Sequence, residues 1–284
     1  LLGERRDQTV GTAASGGLLV TTTQTGLVDR WRPALKVESM GATVLRGLSG
    51  FVDLPMFDAS GSVGWVAEGG EATRSAVSFK KTSIAPKTVT GEYAVSRRLL
   101  LQSSASIEEI MRRDLGFLLA QALDAAAING SGASNQPLGL LGTAGIAAVT
   151  PSTAFSDTTA DLIAALELDD VTGSRAFLTN PTVMTACRKL KDADGHVIPT
   201  AELFHGERVE QTTQVPKTLG AGANKSALIF GTWSELVVGY WSAVDILVNP
   251  YHPDVASAGG ALVHGFLDCD MTVRRKEAFA FAEV

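Results

Sequence analysis

The sequence predicts an α+β fold, and three observations carry that expectation. Phe57 to Pro86 reads as a long hairpin around a glycine turn. Ile107 to Ile128 reads as one long amphipathic helix, and residues 150 to 250 as short helices mixed with short apolar strands. A chain of 284 residues has room for one large domain or two modest ones, and its 45% apolar and 19% charged content is that of a globular protein.

Taken in order, residues 1 to about 35 hold Gly16-Gly17 and Thr21-Thr22-Thr23 without a sustained period of 2 or 3.6. They read as an extended arm. Its local apolar surface is too small to offset the ordering entropy, so it is either mobile or laid along another surface. Leu35 to Asp53 alternates around Val44, Leu45, Leu48 and Val52, as strands do. The hairpin then runs out through Val63 to Val66, turns at Glu68-Gly69-Gly70-Glu71-Ala72-Thr73-Arg74 and returns through Val77 and Phe79. Two strands alone in water are marginal, so this ribbon needs support, which another chain can supply. In Thr88 to Ser96, Val89, Tyr93 and Val95 share one face of a strand.

Ser106 and Glu109 form an S-x-x-E capping box ahead of Ile107, Ile110, Met111, Leu115, Leu118, Leu119, Ala122, Leu123 and Ala126. That spacing makes a helix of about 33 Å, closed by Gly130. Beyond it, Leu162 to Leu168 predicts a helix and Ala176 to Thr179 a strand. Asn180-Pro181 pairs an N-cap with proline at the first helical position, starting a helix through Lys191. Strands are expected at Ala227 to Phe230, Leu236 to Gly239 and Val244 to Val248, and an edge or shared strand in Met271 to Val284 around Phe279 and Phe281.

Composition narrows the function. The net charge of -6 argues against a surface built to neutralise phosphates, so a DNA-reading regulator is disfavoured. Cys187 and Cys269 are far apart with no C-x-x-C, which leaves two buried thiols as the plain reading. No apolar stretch reaches the ~20 residues of a membrane-spanning helix, and no basic-then-apolar leader opens the chain. It begins Leu1-Leu2-Gly3-Glu4-Arg5-Arg6 without methionine, consistent with a recombinant boundary or with removal of an upstream segment.

Catalytic constellations are missing from the pattern. There is no G-x-S-x-G, H-E-x-x-H or Walker A loop, and Gly130-Ser131-Gly132 and Gly220-Ala221-Gly222 lack the third glycine of a dinucleotide loop. His196, His205, His252 and His264 show no helical pairing with an acid, and Asp192 and Asp194 lack the rest of a calcium loop. The expectation is therefore no catalytic residues, no cofactor and no metal site. The basic pairs Arg5-Arg6, Lys80-Lys81, Arg97-Arg98, Arg112-Arg113 and Arg274-Arg275 lack interleaved aromatics, and read as solvated faces or as inter-subunit salt bridges.

The order of features resembles the HK97-fold major capsid proteins of tailed bacteriophages. Four stretches carry the resemblance: Gly64-Trp65-Val66-Ala67-Glu68-Gly69 with Val77-Ser78-Phe79; Tyr93 to Leu100; Leu123-Asp124 through Asn129-Gly130-Ser131-Gly132 to Asn135-Gln136-Pro137-Leu138-Gly139-Leu140; and Leu178-Thr179-Asn180-Pro181 with Leu190 to Gly195. The resemblance implies an N-terminal arm (1–33), peripheral-domain strands (34–51), an extended loop (52–86) and a peripheral domain (87–149) with a spine helix (107–128). An axial domain (150–250) and a return to the peripheral domain (251–284) complete it.

The resemblance further implies a structural, non-enzymatic protein of the virion, assembled in the host cytoplasm. Its hexamers and pentamers would tile an icosahedral head around double-stranded DNA, with no sequence-specific binding and no membrane. The implied partners are further copies of itself, a portal protein, decoration or cement proteins, and a scaffolding segment removed by a phage protease. The implied inter-subunit contacts are Trp65, Glu68, Glu71 and Arg74 on the extended loop and Arg30, Trp31 and Arg32 on the arm. Some relatives join a loop Lys to an Asn by an isopeptide bond. Here the matching loop position is Ala72 beside Arg74, and the expected partner positions fall near Asp268 and Arg275, so no crosslink is expected. Two alternatives stand beside this reading: an encapsulin-like compartment of the same fold, and an α+β hydrolase with His196 or His264 as base.

Overall fold

Apolar alternation builds two sheets and a projecting ribbon, seen here in a computed structural model. The structure describes residues 32–33, 35–71, 73–102, 107–220 and 222–284. The expected arm up to Trp31, including Arg30, lies outside the described residues, as do Ala72 and the capping residue Ser106. In chain order the elements are β1 (Thr43–Arg46), β2 (Val52–Ala59), β3 (Ser78–Ile84), β4 (Lys87–Val95), α1 (Arg97–Gln102), α2 (Ile107–Asn129), β5 (Ala147–Val149), α3 (Phe155–Leu168) and β6 (Ala176–Thr179). There follow α4 (Pro181–Cys187), α5 (Thr200–Leu203), β7 (Arg208–Gln211), β8 (Ala227–Gly231), β9 (Leu236–Tyr240), β10 (Asp245–Asn249), α6 (Pro253–Ala256), β11 (Ala261–Val273) and β12 (Phe279–Glu283).

The first sheet is organised by β11, thirteen residues long, which pairs antiparallel with β4, β9 and β10, while β1 runs parallel to β9. Its signal is legible at period two. Val263, Leu267, Cys269, Met271 and Val273 are buried, while His264, Phe266, Asp268 and Thr272 are half-buried between them. The expected start at Met271 therefore falls late, because the charged members of the alternation mask the strand. The second sheet has the order β5-β12-β8-β6-β7. Both sheets draw strands from either side of position 250, since β9 and β10 join the first and β12 the second. The C-terminus thus ties both sheets together, and one core runs between them, from Leu119, Leu123 and Met271 to Leu178, Ile229 and Phe279.

Helix α2 forms where the 3.6-residue period predicts it. Its buried stripe of Leu115, Leu119, Leu123, Ala126 and Ala127 lies against β4 and β11. Gly130 ends it by close approach: a Cβ there would stand 2.2 Å from the Pro137 carbonyl oxygen. Helix α3 begins at Phe155, earlier than the apolar pattern shows, because its first turns bury Thr158 and Thr159, the latter donating to the Leu203 carbonyl at 2.6 Å. The Asn180 cap is as expected, accepting from the Thr182 amide at 2.9 Å, but α4 stops at Cys187 instead of Lys191. The chain there turns into a small loop closed by the Lys191–Val197 bridge. Arg97–Gln102, which takes in the end of the Tyr93 to Leu100 stretch, is a short helix in its own right.

A buried carboxylate fixes the start of the described chain. Asp124 on α2 is 5% exposed and accepts the amides of Lys36 and Val37, the latter at 2.8 Å. Lys36 in turn reaches Glu210 on β7 at 2.6 Å.

Candidate assembly surface

Hairpin β2–β3 is regular from Val52↔Ile84 to Phe57↔Phe79, and its register shifts before Ala59. Beyond Ala59 the two legs run without a ladder, and the Ser62 amide bonds to Ser75 Oγ at 2.9 Å. The expected strand at Val63 to Val66 is thus a non-strand extension of the ribbon. Glycines at 61 and 64 weaken strand structure there, and no packed layer covers the apolar residues. The tip does turn at the expected glycines, with Gly69 at φ +78° and the Gly70 amide donating to Ala67 at 2.9 Å.

The ribbon's apolar side chains face solvent. Trp65 is 105% and Val63 101% exposed, while Phe57 and Phe79, paired at 5.0 Å between ring centroids, are 70% and 69% exposed. So much outward aromatic and aliphatic surface on one projection is the signature of a surface awaiting a partner, since scattered exposed residues would not cluster in this way. Around the tip, Glu68, Glu71 and Arg74 are exposed and form no ion pair among the described residues. Along the legs the charges are spoken for: Lys81 reaches Asp53 at 2.6 Å and Lys80 reaches Asp58 at 3.4 Å. The Lys81 hydrogen bond, then that of Ser83, holds the Asp53 carboxyl below the usual carboxylate range.

The root of the ribbon is held on both sides. Asp270, 4% exposed on β11, accepts the Ala85 amide at 3.1 Å and pairs with Lys87 Nζ at 3.1 Å. On the other side Trp241 Nε1 donates to the Gly50 carbonyl at 2.7 Å, and the Leu48 amide donates to the Tyr240 carbonyl at 3.2 Å. The ribbon therefore projects from a fixed base. Sequence reasoning missed Asp270 and Trp241 as anchors, and no local pattern marks them, because their partners are distant in the chain.

The histidines do not assemble a catalytic group. His196 lies 3.6 Å from Asp192 in an exposed turn, and His264 Nδ1 lies 3.3 Å from Glu92 across the β4–β11 pair. Among the described residues no histidine ring has a hydroxyl or thiol as its hydrogen-bond partner, the pairing a hydrolase of the Ser–His type requires. Asp192, Asp194 and His196 bring donor atoms within 4.8 Å of one another, all exposed, and Asp192 caps the amides of Asp194 and His196 within that turn. Cys187 and Cys269 are buried and free, and burial pushes their thiols up to about 11 and about 12, the opposite of an activated nucleophile. Of the expected contact residues, Trp65, Glu68, Glu71 and Arg74 share the ribbon's outer end, and Arg32 is half-buried at the first described position.

Two sheets, a long helix packed on the first of them and an anchored ribbon that offers aromatic surface to solvent make up the described chain. Residues 15–284 match the profile of the phage capsid family. The major capsid protein of Halomonas phage phiHAP-1 is 33% identical over 287 residues, covering 99% of this chain and 46% of that protein, so the chain spans about half the length of the curated relative it matches. Among solved structures, one described as the capsid of a native GTA particle computed with C5 symmetry superposes with a TM-score of 0.81 at 20% identity, covering 96% of this chain and 98% of the other. A structure from Microbacterium phage Oxtober96 gives 0.77 at 16% identity, with 96% and 98% covered. The chain belongs to the phage capsid family, and its fold is the HK97-like capsid fold that the sequence resembles.

Proposed function

We propose that this chain is the shell-forming part of a phage major capsid protein, self-assembling into hexamers and pentamers of an icosahedral head around double-stranded DNA. One observation carries the reading: the ribbon, anchored at its root by Asp270 and Trp241, holds Trp65 and Val63 fully in solvent. Burial of such surface between copies, at ~25 cal/mol per Å2, stabilises an assembly that isolated chains do not enjoy. The contacts are assigned to Trp65, Glu68, Glu71 and Arg74 on the ribbon and to Arg30, Trp31 and Arg32 on the arm. A net charge of -6 suits a wall that does not grip the DNA it encloses.

The same reading includes a portal protein, decoration or cement proteins, and a scaffolding segment removed by a phage protease as partners. It places assembly in the host cytoplasm. Each peripheral and axial region takes the boundaries proposed from the sequence, with the C-terminal strands shared between them. The phage relative favours a virus over an encapsulin-like compartment. Electron microscopy of particles purified after nuclease treatment tests it. Closed shells holding protected genome-length DNA support the phage head; shells holding protein cargo without DNA overturn it in favour of a compartment, and a stable monomer overturns both.

A further inference from the structure

On β4 and β11, Gly91 and Gly265 turn toward α2, so Glu92 and His264, the next pair along the ladder, turn to the opposite face of the first sheet. There His264 Nδ1 lies 3.3 Å from Glu92 Oε2, with the histidine side chain 16% exposed. The fold brings a second imidazole to the same place. Strand β10 ends with Asn249 opposite Leu262, and the chain then enters α6, which lies against β11 and has His252 as its N-cap. The ring centroids of His252 and His264 are 6.1 Å apart, and His252 Nδ1 lies 3.4 Å from Asp254 Oδ2. No ligand spacing in the sequence marks this pair.

Two imidazoles that share one zinc ion, each nitrogen at ~2.1 Å, have ring centroids about 5 Å apart, so the observed separation of 6.1 Å closes by a small side-chain rotation. Each Nδ1 faces a carboxylate, and among the described residues neither Nε2 has a hydrogen-bond partner. A carboxylate behind the far nitrogen is the arrangement that fixes the tautomer of a metal-bound histidine and raises its basicity. At His252 the Asp254 amide also meets Nδ1, at 3.4 Å, which favours the tautomer with its proton on Nε2. A cation on Nε2 selects the other tautomer, with Nδ1–H donating to the Asp254 carboxylate. We propose that His252 and His264 bind one divalent transition-metal cation of the zinc class through their Nε2 atoms, with Glu92 and Asp254 as positioning residues and water completing the coordination. Imidazole nitrogens suit zinc, copper and nickel, and the two carboxylates make the corner locally anionic. The ion ties α6 to β11. This site stands independently of the assembly reading.

Calorimetric titration of zinc chloride into the full chain tests it, with circular dichroism as the check on folding. The unmodified chain is expected to take up zinc saturably. His252→Gln and His264→Gln are each expected to bind at least tenfold more weakly, and Glu92→Gln about tenfold more weakly through loss of the orienting carboxylate. His196→Gln, the control for the exposed Asp192–Asp194–His196 turn, is expected to bind like the unmodified chain. Absence of saturable uptake by the unmodified chain overturns the proposal, as does unchanged binding in either His252→Gln or His264→Gln. Weakening confined to His196→Gln puts the ion in the exposed turn and also overturns it, while unchanged binding in Glu92→Gln overturns the part given to that carboxylate. Should His264→Gln fail to fold, His252→Gln, at a side chain 36% exposed, decides the outcome by itself.

Discussion

Gly91 on β4 and Gly265 on β11 face each other across the sheet, and Leu115 of helix α2 sits on both. A Cβ at Gly91 would lie 2.7 Å from one Leu115 methyl carbon, and a Cβ at Gly265 would lie 2.7 Å from the other and 2.8 Å from Leu115 Cγ. The two missing side chains make the hollow into which the helix packs, and they set how closely α2 approaches the sheet that carries the ribbon.

The hollow is not symmetric. At Gly91 only the far end of Leu115 need move, whereas at Gly265 the branch carbon of Leu115 and Leu119 at 3.1 Å are also met. Gly265→Ala is expected to lower stability by ~1–3 kcal/mol and Gly91→Ala by less, read from urea midpoints. Equal and negligible effects would show that the helix shifts freely over the sheet.

Removing the root anchor loosens the ribbon. Asp270→Ala leaves the Ala85 amide and the Lys87 ammonium without their partner, at a cost of ~1–3 kcal/mol. Amide exchange at Ala85 should accelerate while that of the buried second-sheet strands β6 and β8 is little changed. Unaltered exchange at Ala85 would mean that Trp241 alone holds the root.

Two carboxylates around Lys36 respond to pH in opposite senses. Lys36, then Arg208, hydrogen-bond Glu210 and lower its pKa from 4.5, so its contribution is present above that value and is lost as pH falls through the lowered one. Burial, only partly offset by the Val37 and Lys36 amides, raises Asp124 above 3.8, so its contribution is full below 3.8 and is lost as pH rises through the raised value. Glu210→Gln should flatten the acid limb of a stability profile below pH 4.5, and Asp124→Asn should remove the opposing slope above 3.8. A Glu210→Gln profile with an unchanged acid limb would refute the first assignment.

Trp65→Ala separates assembly from folding. Trp65 is fully exposed, so the unassembled chain should unfold within about 0.5 kcal/mol of its parent, while particle yield or heat resistance of the shell falls. Shells of parental yield and heat resistance would remove Trp65 from the contact.

Assembled particles are expected to run as single chains on denaturing gels. The resemblance to crosslinked relatives sets Ala72 at the place of their loop lysine, and the ribbon lysines Lys80 and Lys81 are paired with Asp58 and Asp53. A covalent ladder would overturn this.

Much of the architecture was legible because its signals are local. The Asn180 cap, the Gly69-Gly70 turn, strand Ala176–Thr179 and the stripe of α2 lie within a few residues of the structure they specify. The glycine turn that sets Trp65, Glu68, Glu71 and Arg74 at the ribbon's outer end was legible for the same reason, whereas their part in contacts between copies is what the resemblance implies. The start of α3 was not, since Thr158 and Thr159 become core residues only once carbonyls such as that of Leu203, 44 positions after Thr159, satisfy them.

Read without coordinates, the residues establish the kinds of element, their succession and the presence of an unsupported ribbon, because backbone preference and apolar period act over neighbours. Folding in three dimensions chose which strands share a sheet, that Leu115 rests on two glycines, and that Asp270 grips an amide 185 positions away. Those choices follow from shape and charge matched between distant segments, which no short window of sequence contains.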